Sequence, residues 1–336
     1  MNFKVYLFLI INILFIYSKR LSNKQIKIIN ISFSINNNYT ENILIPLISL
    51  FENSDKNTIY HVQILVGETF KEENCRLLYD LEKSYFNCFI NIINVGNDFI
   101  NVTKSFIDES AYYRLKLPTL CPNIKRMIYL DSDTIILKDL LEFYSLNFNG
   151  NYILGKLDKY PDGIDHLNMY ILNNINSGVL LMDLYSLRKY GYVGKFMKYI
   201  EKHNDEKYLY RHDQTLINYI CHDKIGILHP KFHMWPFKDE NHLLKDHSKL
   251  RIPYKKEDLL NGYYNAYIVH FPGGLKYKES LKNSTYYYKR FSEYLNKAVN
   301  YKKNNTKIIY TIHNKMEYIF LITIILKIII ITLKLS

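Results

Sequence analysis

Two aspartates one residue apart, Asp131 and Asp133, follow the apolar run Met127-Ile128-Tyr129-Leu130, a pattern that puts paired carboxylates at the C-terminal end of a buried strand. That edge is where open α/β sheets bind charged ligands. Carboxylate oxygens are hard donors, so the pair suits a hard divalent cation, and such a cation can bridge the phosphates of a nucleotide. A second group able to serve this chemistry lies far along the chain, in Val269-His270-Phe271-Pro272-Gly273-Gly274-Leu275-Lys276. The His270 imidazole could complete a metal site, the glycines let backbone N–H groups approach a diphosphate, and Lys276 adds a positive charge. An Asp-x-Asp alone equally describes a solvated turn, and a lone histidine is usually structural. Their joint occurrence with other polar segments is what points to chemistry.

The elements that must position these groups read as alternating strands and helices. Ile26 to Phe33 reads as a buried strand followed by the polar turn Asn36-Asn37-Asn38, and Glu41 to Phe51 as a helix. Tyr60 to Val66 (strand), Lys71 to Tyr85 (helix) and Phe89 to Val95 (strand) repeat the unit, and Met127 to Leu130 joins the same sheet. Further on, Asn151 to Leu157, Val179 to Met182 and Ile225 to Leu228 read as strands, and Leu187 to Lys202 and Asp213 to Cys221 as helices. Gly262 to Lys278 reads as a late loop. This order predicts an α/β fold with a mainly parallel central sheet and helices on both faces, leaving the C-terminal edge of the strands free for ligand.

Composition bounds the class. The chain has 336 residues, 48% of them hydrophobic, which is ample for a globular core. A formal charge of +12 would suit nucleic acid, but the cations are scattered and no nucleic-acid module appears, so no nucleic-acid partner is expected. Cys75, Cys88, Cys121 and Cys221 have no metal-ligand spacing, which argues against structural zinc and leaves disulfides open. Val5 to Tyr17 is apolar except for Asn12 and shorter than the ~20 residues of a bilayer span, so residues 1–18 read as a signal peptide or signal anchor and the expected location is the secretory pathway. Sequons at Asn30, Asn38, Asn101, Asn283 and Asn304 are compatible with a lumenal setting. Residues 25–285 read as one domain, 286–317 as a charged linker and 318–336 as an apolar tail, either a membrane anchor or an amphipathic surface helix.

Taken in order, Phe33-Ser34-Ile35-Asn36-Asn37-Asn38-Tyr39, Tyr112-Tyr113-Arg114-Leu115, Tyr129-Leu130-Asp131-Ser132-Asp133, Asn176-Ser177-Gly178-Val179, His212-Asp213-Gln214 and the His270 to Lys276 loop resemble glycosyltransferase family 8. That family includes glycogenin, galactinol synthases and bacterial lipopolysaccharide galactosyl- and glucosyltransferases. The resemblance covers roughly residues 26 to 280. It implies a GT-A fold over residues 25–285 and metal-dependent retaining transfer of a hexose from UDP-glucose or UDP-galactose to a hydroxyl of a glycan or glycoconjugate. Asp131, Asp133 and His270 match its ligands for Mn2+ (or Mg2+). Asn36, Asn38 and Tyr39 fall where the family contacts uridine, and Arg114 matches an arginine near the donor sugar. Asn176 and Asp213 match groups that bind sugar hydroxyls, Gln214 matches the amide beside the anomeric carbon, and Gly273 and Lys276 match diphosphate contacts. The chain departs from the family pattern at Asn36, where many members are acidic, at Ser177, commonly alanine, and at Tyr277-Lys278, commonly Pro-Trp.

Two other readings of the residues stand beside this one. A phosphatase or phosphotransferase of the haloacid dehalogenase type also begins with strand then Asp-x-Asp, but Ile135 stands where that class has Thr or Val and the late His-Gly-Gly-Lys loop would have no role. A non-catalytic nucleotide-sugar or glycan-binding protein is the third. Trp235, the single tryptophan, offers either a face for a sugar ring or an anchor for its loop.

Overall fold

A computed structural model of the chain describes residues 25–102, 108–158, 174–204, 211–248, 250, 254–272 and 286–309. The strands are β1 (Lys27–Ser34), β2 (Thr58–Val66), β3 (Cys88–Asn94), β4 (Arg126–Leu130), β5 (Thr134–Ile136), β6 (Ile153–Leu157), β7 (Ile175–Asp183), β8 (Ile225–Ile227) and β9 (Ile268–His270). Among the described residues, seven of them form one sheet in the order β3-β2-β1-β4-β7-β6-β8. All neighbours in it are parallel except β7, which runs against β4 and β6. The reversal has a direct consequence: the start of β7 lies beside the end of β4, so residues from opposite ends of two strands meet at one edge.

Alternate side chains feed two cores. Ile128 and Leu130 of β4 join Ile29, Ile31, Phe33, Val62 and Ile64 on one face, under the helix Leu44–Glu52. Met127 and Tyr129 face the other way, against Leu180, Met182 and the helices Tyr192–Lys202 and His212–Ile220. A period of two with apolar residues on both sides is what a sheet covered on both faces requires. The single helix expected from Leu187 to Lys202 is two, Leu184–Lys189 and Tyr192–Lys202, because Gly191 between them adopts φ 67°, a left-handed conformation that ends one helix and lets the next start at an angle.

Two expectations are corrected. Within the stretch read as a late loop, Lys256–Tyr264 ends as helix and Ile268–His270 is strand, paired antiparallel with β5. Three residues are too few to show a strand period in sequence. Within the stretch read as a charged linker, Tyr286–Ile309 is a helix. Tyr287, Tyr288, Phe291, Tyr294 and Ala298 form a buried stripe that packs into the core with the helix Leu44–Glu52. The lysines that gave the stretch its linker character flank this stripe, where Lys297 pairs with Glu52 at the end of that same helix and Lys302 with Glu41 just before it. The four cysteines are free thiols. No helix among the described residues is long and apolar enough to cross a membrane, and the apolar segments 1–18 and 318–336 lie outside those residues.

This last helix also touches the chemistry, since Tyr288, 1% exposed, packs edge-on against Phe271, the residue after His270. Tyr288→Ala should cost about 3–5 kcal/mol, the usual range for truncating a fully buried aromatic side chain, measured by urea unfolding. A cost below about 1 kcal/mol would mean that the helix is an appendage.

Candidate active site

The edge formed by the C-terminal ends of β1, β4 and β6 and the start of β7 collects the polar residues. Asp131 leaves β4 with its N–H donating to the Gly178 carbonyl at 2.9 Å, and Thr134 Oγ1 donates to the Asp131 carbonyl at 2.9 Å, closing a turn. Asp133 precedes β5, and its carbonyl accepts from Phe271 N at 2.9 Å. The β5–β9 ladder, with Thr134 opposite His270, therefore delivers the imidazole to the carboxylates. His270 Nε2 lies 3.1 Å from Asp133 Oδ1 and 3.8 Å from Asp131 Oδ2. One ligand atom from each of Asp131, Asp133 and His270 lies within 4.8 Å of the others. Two carboxylates and an imidazole are an oxygen-rich set that fits Mn2+ or Mg2+. Gly178 is what permits the approach: a Cβ there would stand 2.2 Å from His270 Cε1 and 2.7 Å from Asp131 Oδ2.

Arg114, 3% exposed, joins this trio to a third acidic residue, Asp213. Its Nη2 donates to Asp131 Oδ1 at 2.8 Å, its Nη1 to the Ser177 carbonyl at 2.6 Å, and its Nε to the Ala111 carbonyl at 2.9 Å, with Asp213 Oδ2 3.2 Å from Nε. The guanidinium lies 4.0 Å from the Tyr129 ring centre, and Tyr129 Oη donates to Asp131 Oδ1 at 3.0 Å. Burial by itself would lower the Arg114 pKa, but Asp131 and Asp213 overcome it and hold the guanidinium charged. Asp213 responds the other way. Burial pushes its carboxyl up to about 6 against the pull of Arg114, and Asp131 pushes it further. One guanidinium serving two carboxylates cannot compensate both fully, and the more deeply buried one yields.

Gln214 sits beside Asp213 at the start of the helix His212–Ile220. His212 takes φ 52°, a left-handed turn unusual for a side chain with a Cβ, and its buried ring reaches Tyr112 Oη at 3.2 Å. The Gln214 amide is held at both ends: Nε2 donates to Asp158 Oδ2 at 3.0 Å, and Oε1 accepts from Ser177 N and Asn176 Nδ2 at 3.2 Å each. Asp158 also accepts from Arg211 Nη1 at 2.9 Å. Neither Asp158 nor Arg211 was expected from sequence. Asp158 follows β6 at the same edge and could have been found by the rule that pointed to Asp131.

Asn36, Asn38 and Tyr39 follow β1, the strand next to β4, at this edge. Asn36 Oδ1 accepts from Asn38 N at 2.8 Å and Tyr39 N at 3.2 Å, so its side chain shapes the turn that exposes Asn38 and Tyr39. Gly273 and Lys276 lie outside the described residues. Trp235 is 9% exposed with Lys156 Nζ 4.1 Å from its ring centre, which is the packing of an anchor and not of an open sugar platform. Gly178 and His233 complete the residues that sequence reading missed. His233 is fully buried, its Nε2 is 3.0 Å from His270 Nδ1, and its pKa is lowered well below the usual histidine value by burial, by His270 and by Lys156.

A mostly parallel sheet with one reversed strand, carrying an Asp-x-Asp and a late histidine at its C-terminal edge, defines a GT-A glycosyltransferase fold. The chain belongs to glycosyl transferase family 8, whose sequence profile matches residues 30–278. It is similar to General stress protein A of Bacillus subtilis (strain 168), 28% identical over a 267-residue alignment that covers 74% of this chain and 87% of that one. In structure it resembles the galactosyltransferase LgtC solved with donor and acceptor sugar analogs, with a TM-score of 0.61 and 17% identity over 80% of this chain and 96% of that one. It also resembles the glycosyltransferase GlyE of Streptococcus pneumoniae TIGR4, with a TM-score of 0.57 and 16% identity over 84% of this chain and 64% of that one. At these identities the structural likeness is one of fold. Membership of the family sets aside the phosphatase reading.

Two outcomes are expected. Gly178→Ala should weaken Mn2+ binding by about tenfold or more, because Asp131 or His270 must move to make room, a displacement comparable to losing a group that orients a ligand. Isothermal titration with Mn2+ would show it, and unchanged affinity would mean that the trio does not act together. The second concerns pH. Between about pH 4 and pH 6 the native Asp213 keeps a proton that the unfolded chain has lost, so its contribution to stability falls as pH rises through that window. In metal-free protein the stability of Asp213→Asn relative to wild type should therefore increase by on the order of 1–3 kcal/mol from pH 4 to pH 6, followed by urea unfolding. A flat difference would contradict the assignment.

Proposed function

We propose that the protein is a retaining hexosyltransferase that moves glucose or galactose from its UDP-sugar to a hydroxyl of a glycan or glycoconjugate. The observation that carries this reading is the convergence of Asp131, Asp133 and His270 within 4.8 Å at the sheet edge, beside Arg114, Asn176, Asp213 and Gln214. Asp131, Asp133 and His270 would hold Mn2+ or Mg2+, which when bound supplies Lewis-acid stabilisation of the departing diphosphate. Asn36, Asn38 and Tyr39 would receive the uridine, and Gly273 and Lys276 the diphosphate.

Within this reading, the bond between the anomeric carbon and the diphosphate oxygen breaks, and the acceptor hydroxyl forms the new bond on the same face. The hydroxyl proton leaves with the diphosphate. Gln214 is an amide and a poor nucleophile at neutral pH, which favours front-face transfer over a covalent intermediate on that residue. Its orientation is fixed by Asp158 and Ser177, so it can steady positive charge at the anomeric carbon through its carbonyl without reorganising. Arg114 keeps Asp213 and Asp131 apart in charge as well as in space, and Asp213 and Asn176 would bind hydroxyls of the transferred sugar. The apolar amino-terminal segment supports a place in the secretory pathway, with membrane association through either terminal segment.

A donor screen tests the reading. UDP release from UDP-glucose or UDP-galactose with Mn2+, with and without acceptor, should be abolished in Asp133→Ala. Gln214→Ala should lower turnover by about a hundredfold or more while UDP affinity stays within a few-fold, the pattern of a group that acts on the transition state. Wild-type protein that binds UDP-sugar and never releases UDP would establish the non-catalytic alternative instead.

A further inference from the structure

His233 is a fully buried histidine that the reading above leaves without a task, and its Nε2 lies against His270. Its position is rigid. Met234 N donates to the Ile268 carbonyl at 2.9 Å and His270 N to the Met234 carbonyl at 2.8 Å, so the backbone on the C-terminal side of His233 is stitched to β9. The two rings face each other through His233 Nε2 and His270 Nδ1, 3.0 Å apart, and the other nitrogen of His270 faces Asp131 and Asp133.

Two neutral imidazoles share a single hydrogen across such a contact, and its ownership decides what His270 can do. If the hydrogen belongs to His233 Nε2, the His270 hydrogen must sit on Nε2, where it donates to Asp133 and blocks that lone pair. If the hydrogen belongs to His270 Nδ1, Nε2 is bare and free to ligate. Only the second arrangement is a metal site, and it needs His233 Nε2 as acceptor. Passing from the first to the second moves the bridging proton from His233 to His270, while one proton leaves His270 Nε2 and one arrives at His233 Nδ1. No net proton is gained or lost. His233 Nδ1 is buried without a hydrogen-bond partner among the described residues, so nothing there pins His233 to either tautomer.

We propose that His233 is a positioning residue that sets the His270 tautomer by accepting its Nδ1–H, and so makes Nε2 available to a divalent cation. The proposal rests on the metal-site reading of Asp131, Asp133 and His270. Gln at this position reaches as far as Nε2 of histidine and carries an acceptor there, whereas Leu fills the volume with none.

The test is Mn2+ binding to the full chain without nucleotide, followed by electron paramagnetic resonance, on wild type, Asp133→Ala, His233→Leu and His233→Gln, with thermal unfolding of each metal-free protein as a fold control. Expected is a loss of about 10- to 100-fold in affinity for His233→Leu and recovery to within a few-fold of wild type for His233→Gln, the range seen when a group that orients a ligand is removed. In the Mg2+-loaded protein, nitrogen-15 spectra of the ring should show the His270 proton on Nδ1. Wild-type affinity in His233→Leu, no recovery in His233→Gln with the fold intact, or a His270 proton on Nε2 in the loaded protein would each overturn the proposal. Asp133→Ala separates the two levels. If it loses Mn2+ while His233→Leu does not, only the role of His233 fails; if Asp133→Ala binds as wild type, or wild type binds no Mn2+, the metal site fails and the role of His233 with it.

Discussion

The structure turns on one buried guanidinium. Arg114 holds Asp131 on one side and Asp213 on the other while closing the Ser177 and Ala111 carbonyls. Two carboxylates held this close to one group repel each other and resist burial, and without a fixed cation between them one would be driven out or protonated. With Arg114 in place, the Asp131 end and the Asp213 end of the site are tied to one rigid group. Its own position is set by the turn Glu109–Lys116, where Tyr112 and Tyr113 are buried against Phe99, and by the Tyr129 ring beneath it. The preference of arginine over lysine follows, since a planar fork of donors can reach three acceptors in different directions while its charge also faces Asp213.

A second constraint is topological. Parallel strands deliver only their C-terminal ends to the ligand edge. The reversed β7 adds its N-terminal residues Asn176, Ser177 and Gly178, and the short β5–β9 ladder adds His270 from a point 139 residues beyond Asp131 in number. Gly178 shows how closely these parts approach, because no side chain fits where it meets His270 and Asp131. The helix Tyr286–Ile309 lies outside the stretch that matches the family profile, yet it packs on Phe271 and so stiffens the same corner.

Much of the fold was legible in the chain. Strand and helix periods in β1, β2, β3 and β4 and in the helices between them are local patterns, and the structure follows them to within a few residues. Where it did not, a local signal was weak or misleading: three-residue strands have no period, and the aromatic stripe of Tyr286–Ile309 was masked by its lysines. Among site residues, those embedded in ordered motifs, from Asp131 to Gln214 and His270, could be named in advance and lie at the edge where they were expected. Arg211, Gly178 and His233 could not be named in advance, because each matters through what it touches across the fold, whereas Asp158 carried a local signal in its place directly after a buried strand.

The sequence by itself determined the layer order, the ligand edge and the identity of the acidic pair, since burial pattern and residue chemistry are properties of a few consecutive residues. Only the tertiary structure decided that one arginine serves two carboxylates, that a glycine opens room for an imidazole, and that a second histidine stands behind the first. Those are distances between groups far apart along the chain, and the close packing that sets them exists only once the sheet, its reversed strand and both cores have formed together.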